Sequence, residues 1–182
     1  SDYEILTIDL SKGQRLPKQV TGIEAIISLG GPMNVYEETT YPFLASEIEF
    51  LRKGIADEIP MLNICLGAQL LAKTTGATVH KAPLQEIGWY NVYLTEAGRR
   101  DPLFEGIDNV LSVFQWHEDT FEIPDGGELL ATSPSCQNQA FRLGRHAYGF
   151  QFHIEVTPCM IESWVQEYVG CKDTTAVQKM MT

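Results

Sequence analysis

The chain has 182 residues, 44% of them hydrophobic and 20% charged, which suits a single globular domain with a real core. Its formal net charge of −11 is relieved by no basic run, which argues against a nucleic-acid partner. No stretch approaches the roughly 20 apolar residues of a membrane-spanning helix, and no charged-then-apolar leader is read at the start.

In chain order, Glu4 to Leu10 reads as a short strand and Ala25 to Leu29 as a buried one that runs into Gly30-Gly31-Pro32. After Pro42, Leu44, Ile48, Leu51 and Ile55 mark one face of an amphipathic helix. Ile59 to Ile64 is a further apolar strand. It leads through Cys65 into a helix-like segment closed near Gly76. Strands are then expected over Trp89 to Leu94, Val110 to Gln115, Leu129 to Thr132, Gln139 to Leu143 and Ala147 to Ile154. Thr157-Pro158 supplies the cap and first-turn proline of a last helix running through Trp164 to Val169. Alternation first and strands later predict an α/β fold with a mostly parallel central sheet, in one domain over residues 1–182. The scattered cysteines Cys65, Cys136, Cys159 and Cys171 form no CxxC pair and are expected to stay reduced, in a cytoplasmic setting, the last three inert.

Cys65 falls between a buried strand and a helix. A turn there projects a side chain out of the sheet, small neighbours such as Gly67 keep the approach open, and the helix N-terminus favours a thiolate. Taken alone, the same cysteine could equally be a core residue. In Phe150-Gln151-Phe152-His153-Ile154-Glu155, alternation puts Gln151, His153 and Glu155 on one face and Phe150, Phe152 and Ile154 in apolar packing. A glutamate beside a histidine can fix the imidazole tautomer while the other ring nitrogen faces a thiol. An incidental pair on a polar strand face is the alternative, and the candidate cysteine is what gives the pair weight.

Gly30-Gly31-Pro32, the elbow Ile64-Cys65-Leu66-Gly67-Ala68-Gln69 and the strand Phe150 to Glu155 together resemble the class I, triad-type glutamine amidotransferases. Glu86-Ile87-Gly88-Trp89 and Gln115 to Phe121 support a likeness to the amidotransferase half of GMP synthase, over about Thr7 to Trp164. The resemblance implies a flavodoxin-like fold with helices flanking the central sheet and a small antiparallel sheet beside it. It also implies Cys65, His153 and Glu155 as the catalytic triad and the backbone N–H groups of Gly31 and Leu66 as the oxyanion hole. Gln69, Trp116, Glu118 and Asp119 would bind the amino-acid end of glutamine or a γ-glutamyl compound. No metal or other cofactor is implied. Ammonia would pass to a synthetase partner, because the chain has no P-loop or GxGxxG of its own. His80 and His146 are expected at the surface, and His117 at the pocket without a proton-transfer role.

Two departures stand out. Asn63 occupies a position two before the cysteine where the family has glycine, and Ile154 one where proline is common. Asparagine tolerates unusual backbone angles, but its side chain could crowd the thiol. The family's first strand and helix are not found ahead of Ser1, and the end from Gly170 is short and irregular. Rival readings are a γ-glutamyl hydrolase or peptidase with the same triad and a catalytically silent homologue.

Overall fold

The computed structural model describes residues 3–169. Seven strands form one sheet: β1 (Ile26–Ser28), β2 (Met61–Ile64), β3 (Val79–Leu94), β4 (Val110–Phe121), β5 (Gly127–Thr132), β6 (Ala140–Leu143) and β7 (Ala147–Phe150), in the order β1-β2-β7-β6-β5-β3-β4. The helices are α1 (Phe43–Ala56), α2 (Leu66–Thr74), α3 (Glu96–Arg100) and α4 (Pro158–Val169). The α/β class is as expected, but the division of the sheet is not. Only β1, β2 and β7 pair in parallel, and the antiparallel strands continue the same sheet instead of forming a small one beside it. Parallel pairing needs long crossovers, which α1 supplies between β1 and β2. Past β4, short turns force hairpins, as at Gly144, whose φ of 60° closes the β6–β7 link.

The expected strand over Glu4 to Leu10 is absent. That segment is irregular up to a 3-10 turn at Leu10–Lys12 capped by Asp9, with Ile5 87% exposed. Alternating residues make a strand only where a neighbour offers a ladder, and none of the described strands lies beyond β1. The strand expected over Ala147 to Ile154 also stops early, at Phe150. The middle strands run longer than their apolar runs suggested. β3 and β4 pair through polar residues such as His117 and Asp119, which carry no apolar alternation.

The helices follow their patterns. Leu44 and Leu51 bury one face of α1, with Phe50 and Gly54 beside them. Gly54 lets the helix close on the sheet, because a Cβ there would meet Met61 Sδ at 2.9 Å and Ile26 Cδ1 at 3.0 Å. α2 ends at Thr74 with Thr75 as its C-cap, and Gly76 follows with φ 88°. Thr157 Oγ1 accepts the Met160 N–H at the start of α4. Neighbours on β6 face opposite ways: Phe141 joins a core with Leu44, Leu70 and Phe121, and Ala140 joins one with Leu130, Phe150 and Phe152. The middle of the sheet is thus covered on both faces, while Ile27 on β1 and Trp89 on β3 stay exposed, and candidate functional side chains emerge at its strand ends.

Candidate active site

Cys65 sits between β2 and α2 with φ 53° and ψ −108°. A non-glycine residue at positive φ is strained and needs surroundings that hold it. Here its N–H donates to the Phe150 carbonyl of β7 at 2.7 Å, which ties the turn to the sheet centre. Two positions on, Gly67 lets α2 press against β1, since a Cβ there would lie 2.5 Å from the Ser28 carbonyl oxygen. The elbow therefore depends on glycine at 67 for close approach, with cysteine itself taking the strained angle. Asn63 does not crowd the thiol: it lies within β2, and its amide turns away to donate to the Tyr148 carbonyl at 2.9 Å.

His153 lies past the end of β7, joined to β4 by a bridge in which its N–H donates to the Phe114 carbonyl at 2.8 Å. The alternation expected for this stretch fails in part, because Ile154 is 54% exposed instead of packed. The pairing survives all the same. His153 Nδ1 is 2.7 Å from Glu155 Oε1, and the Ile154 N–H donates to Glu155 Oε2 at 2.9 Å. A proline at 154 could not make that second bond. With Nδ1 engaged, Nε2 is left for Cys65. Burial works against the imidazolium, but the Cys65 thiol and then Glu155 bond and charge-pair with it, raising His153 to about 9. Burial likewise opposes the Glu155 carboxylate, yet His153 beside it holds it below its ordinary range.

Gly30 adjoins both groups. A Cβ there would stand 3.0 Å from His153 Cε1 and 3.4 Å from Cys65 Cβ. Gly31 is exposed, and a Cβ there would lie 3.1 Å from Leu66 Cδ2, so the two backbone positions named for the oxyanion are adjacent. Leu66 opens α2, where N–H groups have no partner within the helix.

The residues expected to bind substrate divide. The Trp116 carbonyl lies 3.8 Å from Cys65 Sγ, so its strand borders that thiol. Gln69 is buried, its amide nitrogen donating to the Asp119 carbonyl at 3.2 Å and to Gln151 Oε1 at 3.3 Å. Asp119 is buried next to Lys81, whereas Glu118 is exposed and accepts from Gln85. His80 is half-buried and contacts Glu122, and His146 is exposed. Cys65, Cys136 and Cys159 are free thiols, and Cys171 lies outside the described residues.

Sequence reasoning gave no role to two neighbours. Gln151 Nε2 reaches to 3.9 Å from Cys65 Sγ, and its place two before His153 was the available signal. The Trp164 ring stands 5.1 Å from the His153 ring, edge to face, and packs on Trp116. Nothing local in α4 marks that contact. Nor is His117 a pocket residue. It is buried across from Glu86, with Nε2 2.8 Å from Glu86 Oε2 and Nδ1 2.9 Å from the Asp119 carbonyl. Glu86 also accepts from Gln139 at 2.8 Å and from the hydroxyls of Ser133 and Ser135. Burial opposes its charge, but these donors, His117 first, hold it below the ordinary carboxylate range.

Glu86, His117 and Cys136 bring possible metal-ligand atoms within 4.8 Å of one another. The 2.8 Å between His117 and Glu86 is a hydrogen-bond length, shorter than two tetrahedral zinc ligands at about 2.0–2.2 Å from the metal would allow. The cluster is a hydrogen-bonded network.

The family model for glutamine amidotransferase class-I matches residues 2–162. This chain belongs to the class-I glutamine amidotransferases. It is 34% identical over 167 residues to the glutamine amidotransferase-like protein YfeJ of Salmonella typhimurium, covering 90% of this chain and 70% of that protein. The glutamine-hydrolysing GMP synthase of Porphyromonas gingivalis is 32% identical over 144 residues, and there the match spans 78% of this amidotransferase chain but 27% of the synthase. A solved glutamine amidotransferase from Thermotoga maritima superposes with a TM-score of 0.82 at 39% identity, over 90% of this chain and 70% of that one. One from Methylobacillus flagellatus gives 0.80 at 31% identity, over 87% and 62%.

Proposed function

We propose that the chain hydrolyses the side-chain amide of glutamine through a thioester on Cys65 and hands the ammonia to a synthetase partner. The observation that carries the reading is a strained cysteine at a helix N-terminus with a paired His153–Glu155 beside it. The Cys65 thiolate attacks the amide carbon, and the N–H groups of Gly31 and Leu66 receive the developing oxyanion. The His153 imidazolium gives its proton to the departing nitrogen as the carbon–nitrogen bond breaks, leaving ammonia and a glutamyl thioester. Neutral His153 then takes a proton from water, the hydroxide attacks the thioester, and the carbon–sulfur bond breaks to release glutamate. Thiolate and imidazolium are restored. Glu155 orients the ring throughout, and Trp116 and Asp119 border the amino-acid end of the substrate.

A glutamine analogue with an electrophile in place of the amide tests this by intact-protein mass spectrometry. One label per chain is expected, on Cys65, and none in Cys65→Ser. A folded protein whose thiol stays unlabelled would sink the reading and leave a catalytically silent homologue.

A further inference from the structure

Asp119 is 4% exposed, and two side chains meet its carboxylate, the Lys81 ammonium and the Tyr36 phenol. Of the two only Lys81 brings a charge, its ammonium 2.8 Å from Oδ1. The two residues face each other across β3 and β4. They are held very differently. The Asp119 main chain is fixed by two buried donors, His117 Nδ1 at 2.9 Å and Gln69 Nε2 at 3.2 Å. Gln69 is in turn bonded to Gln151, which reaches Cys65, so the carboxylate's backbone is anchored two side chains from the nucleophile. Lys81 is 60% exposed on a long stem, with a second acidic neighbour, Glu118, 3.6 Å away. Tyr36, from the loop that follows Gly31, borders the same carboxylate; burial and then Asp119 push its phenol up.

An anchored, desolvated anion beside a removable cation is a receptor for a cation. A buried carboxylate left bare is costly, so the empty site needs a counter-ion that a ligand can replace. We infer that Lys81 is an internal stand-in for the α-ammonium of the substrate: it neutralises Asp119 in the empty enzyme and gives way when a γ-glutamyl amide bearing a free α-ammonium binds. Lys81 is thus a specificity-determining residue that sets KM, and it admits substrates able to replace its charge. This rests on the reading of Cys65 as the nucleophile of an amide hydrolase.

The test compares wild type with Lys81→Met and Lys81→Arg in steady-state hydrolysis of L-glutamine and of 4-carbamoylbutanoate, which has the same amide and chain but no α-ammonium. In Lys81→Met, KM for glutamine should fall about threefold, the scale of one exposed ion pair, with kcat unchanged. KM for 4-carbamoylbutanoate should rise, because its carboxylate then faces an unneutralised Asp119. Lys81→Arg should restore both wild-type values. A static cross-strand ion pair would move the melting temperature and neither KM, and that result overturns the inference. So does a rise in KM for glutamine, which would make Lys81 a direct carboxylate binder, or a shift of both substrates in one direction. A wild-type protein that hydrolyses neither amide and takes no label on Cys65 defeats the amidase reading, and this inference with it. Wild-type turnover without the opposed KM shifts defeats the Lys81 inference alone.

Discussion

The molecule holds two buried histidine–glutamate pairs of nearly equal length, His153–Glu155 at 2.7 Å and His117–Glu86 at 2.8 Å. They differ in what the second ring nitrogen meets. In His117 it meets the Asp119 carbonyl, and four donors saturate Glu86, so every polar atom of the pair is committed to the protein. In His153 it is left for a thiol that can carry charge, and one side of the site opens through the exposed Gly30 and Gly31. The same two residue types have every bond closed in one pair and one ring nitrogen left open in the other, and it is the open pair that the proposed mechanism uses.

Glutamine at each glutamate separates the two roles most sharply. Glu155→Gln should lower kcat by about 10²–10⁴-fold, since an amide can present a donor to Nδ1 and select the wrong tautomer. The melting temperature should fall too, since part of the stability linked to the raised His153 comes from Glu155, but by less than in Glu86→Ala. If turnover survives this change, the two pairs are alike and neither is catalytic. Glu86→Ala should behave in the opposite way. Removing one partner of a fully buried charged pair destabilises by about 3–5 kcal/mol, read as a shift in the denaturation midpoint. The activity of the remaining folded protein should stay within an order of magnitude.

The pH profile distinguishes the pairs next. With His153 raised to about 9, the imidazolium that the proposed mechanism uses as its acid persists through neutral pH, and kcat/KM should fall as pH rises beyond about 9. The same raised value links to stability. The gain is fully present below the ordinary value of 6.5 and is lost as pH rises through about 9. In Glu155→Gln the alkaline limb should move to lower pH. An unmoved limb would show that Glu155 does not act on His153. The smallest effect should come from Ile154→Pro, which removes one donor from Glu155. A loss of about a few-fold in kcat is expected, because the lost bond is to Glu155 Oε2 and the Oε1–Nδ1 contact with His153 stays in place.

Much of this contrast was legible before any coordinates. Cys65, His153 and Glu155 stood out because strand-to-helix turns and tightly spaced polar pairs are local patterns. The reasoning for the pair was nonetheless wrong in detail. The strand ends at Phe150, and the two side chains meet through a turn and a bridge to Phe114, not through alternation. The Glu86–His117 pair was invisible as a pair, because its members are 31 residues apart and meet only through the β3–β4 register. Trp164 escaped for a similar reason: helical periodicity says which face is buried but not which ring it meets. The segment Glu4 to Leu10 shows the converse failure, where a local pattern lacks the neighbour that would make it a strand.

The tie between Cys65 and β7 also has a consequence for the order of folding. Cys65 and Gln151 stand 86 positions apart, and β7, the last strand along the described chain, is the one that lies between β2 and β6. Contacts of such sequence separation form late, because the loop they close is long. Until then Cys65 has neither the carbonyl that fixes its strained turn nor the imidazole that activates it. If Cys65 is the nucleophile as proposed, its site is complete only when nearly all of the domain is in place.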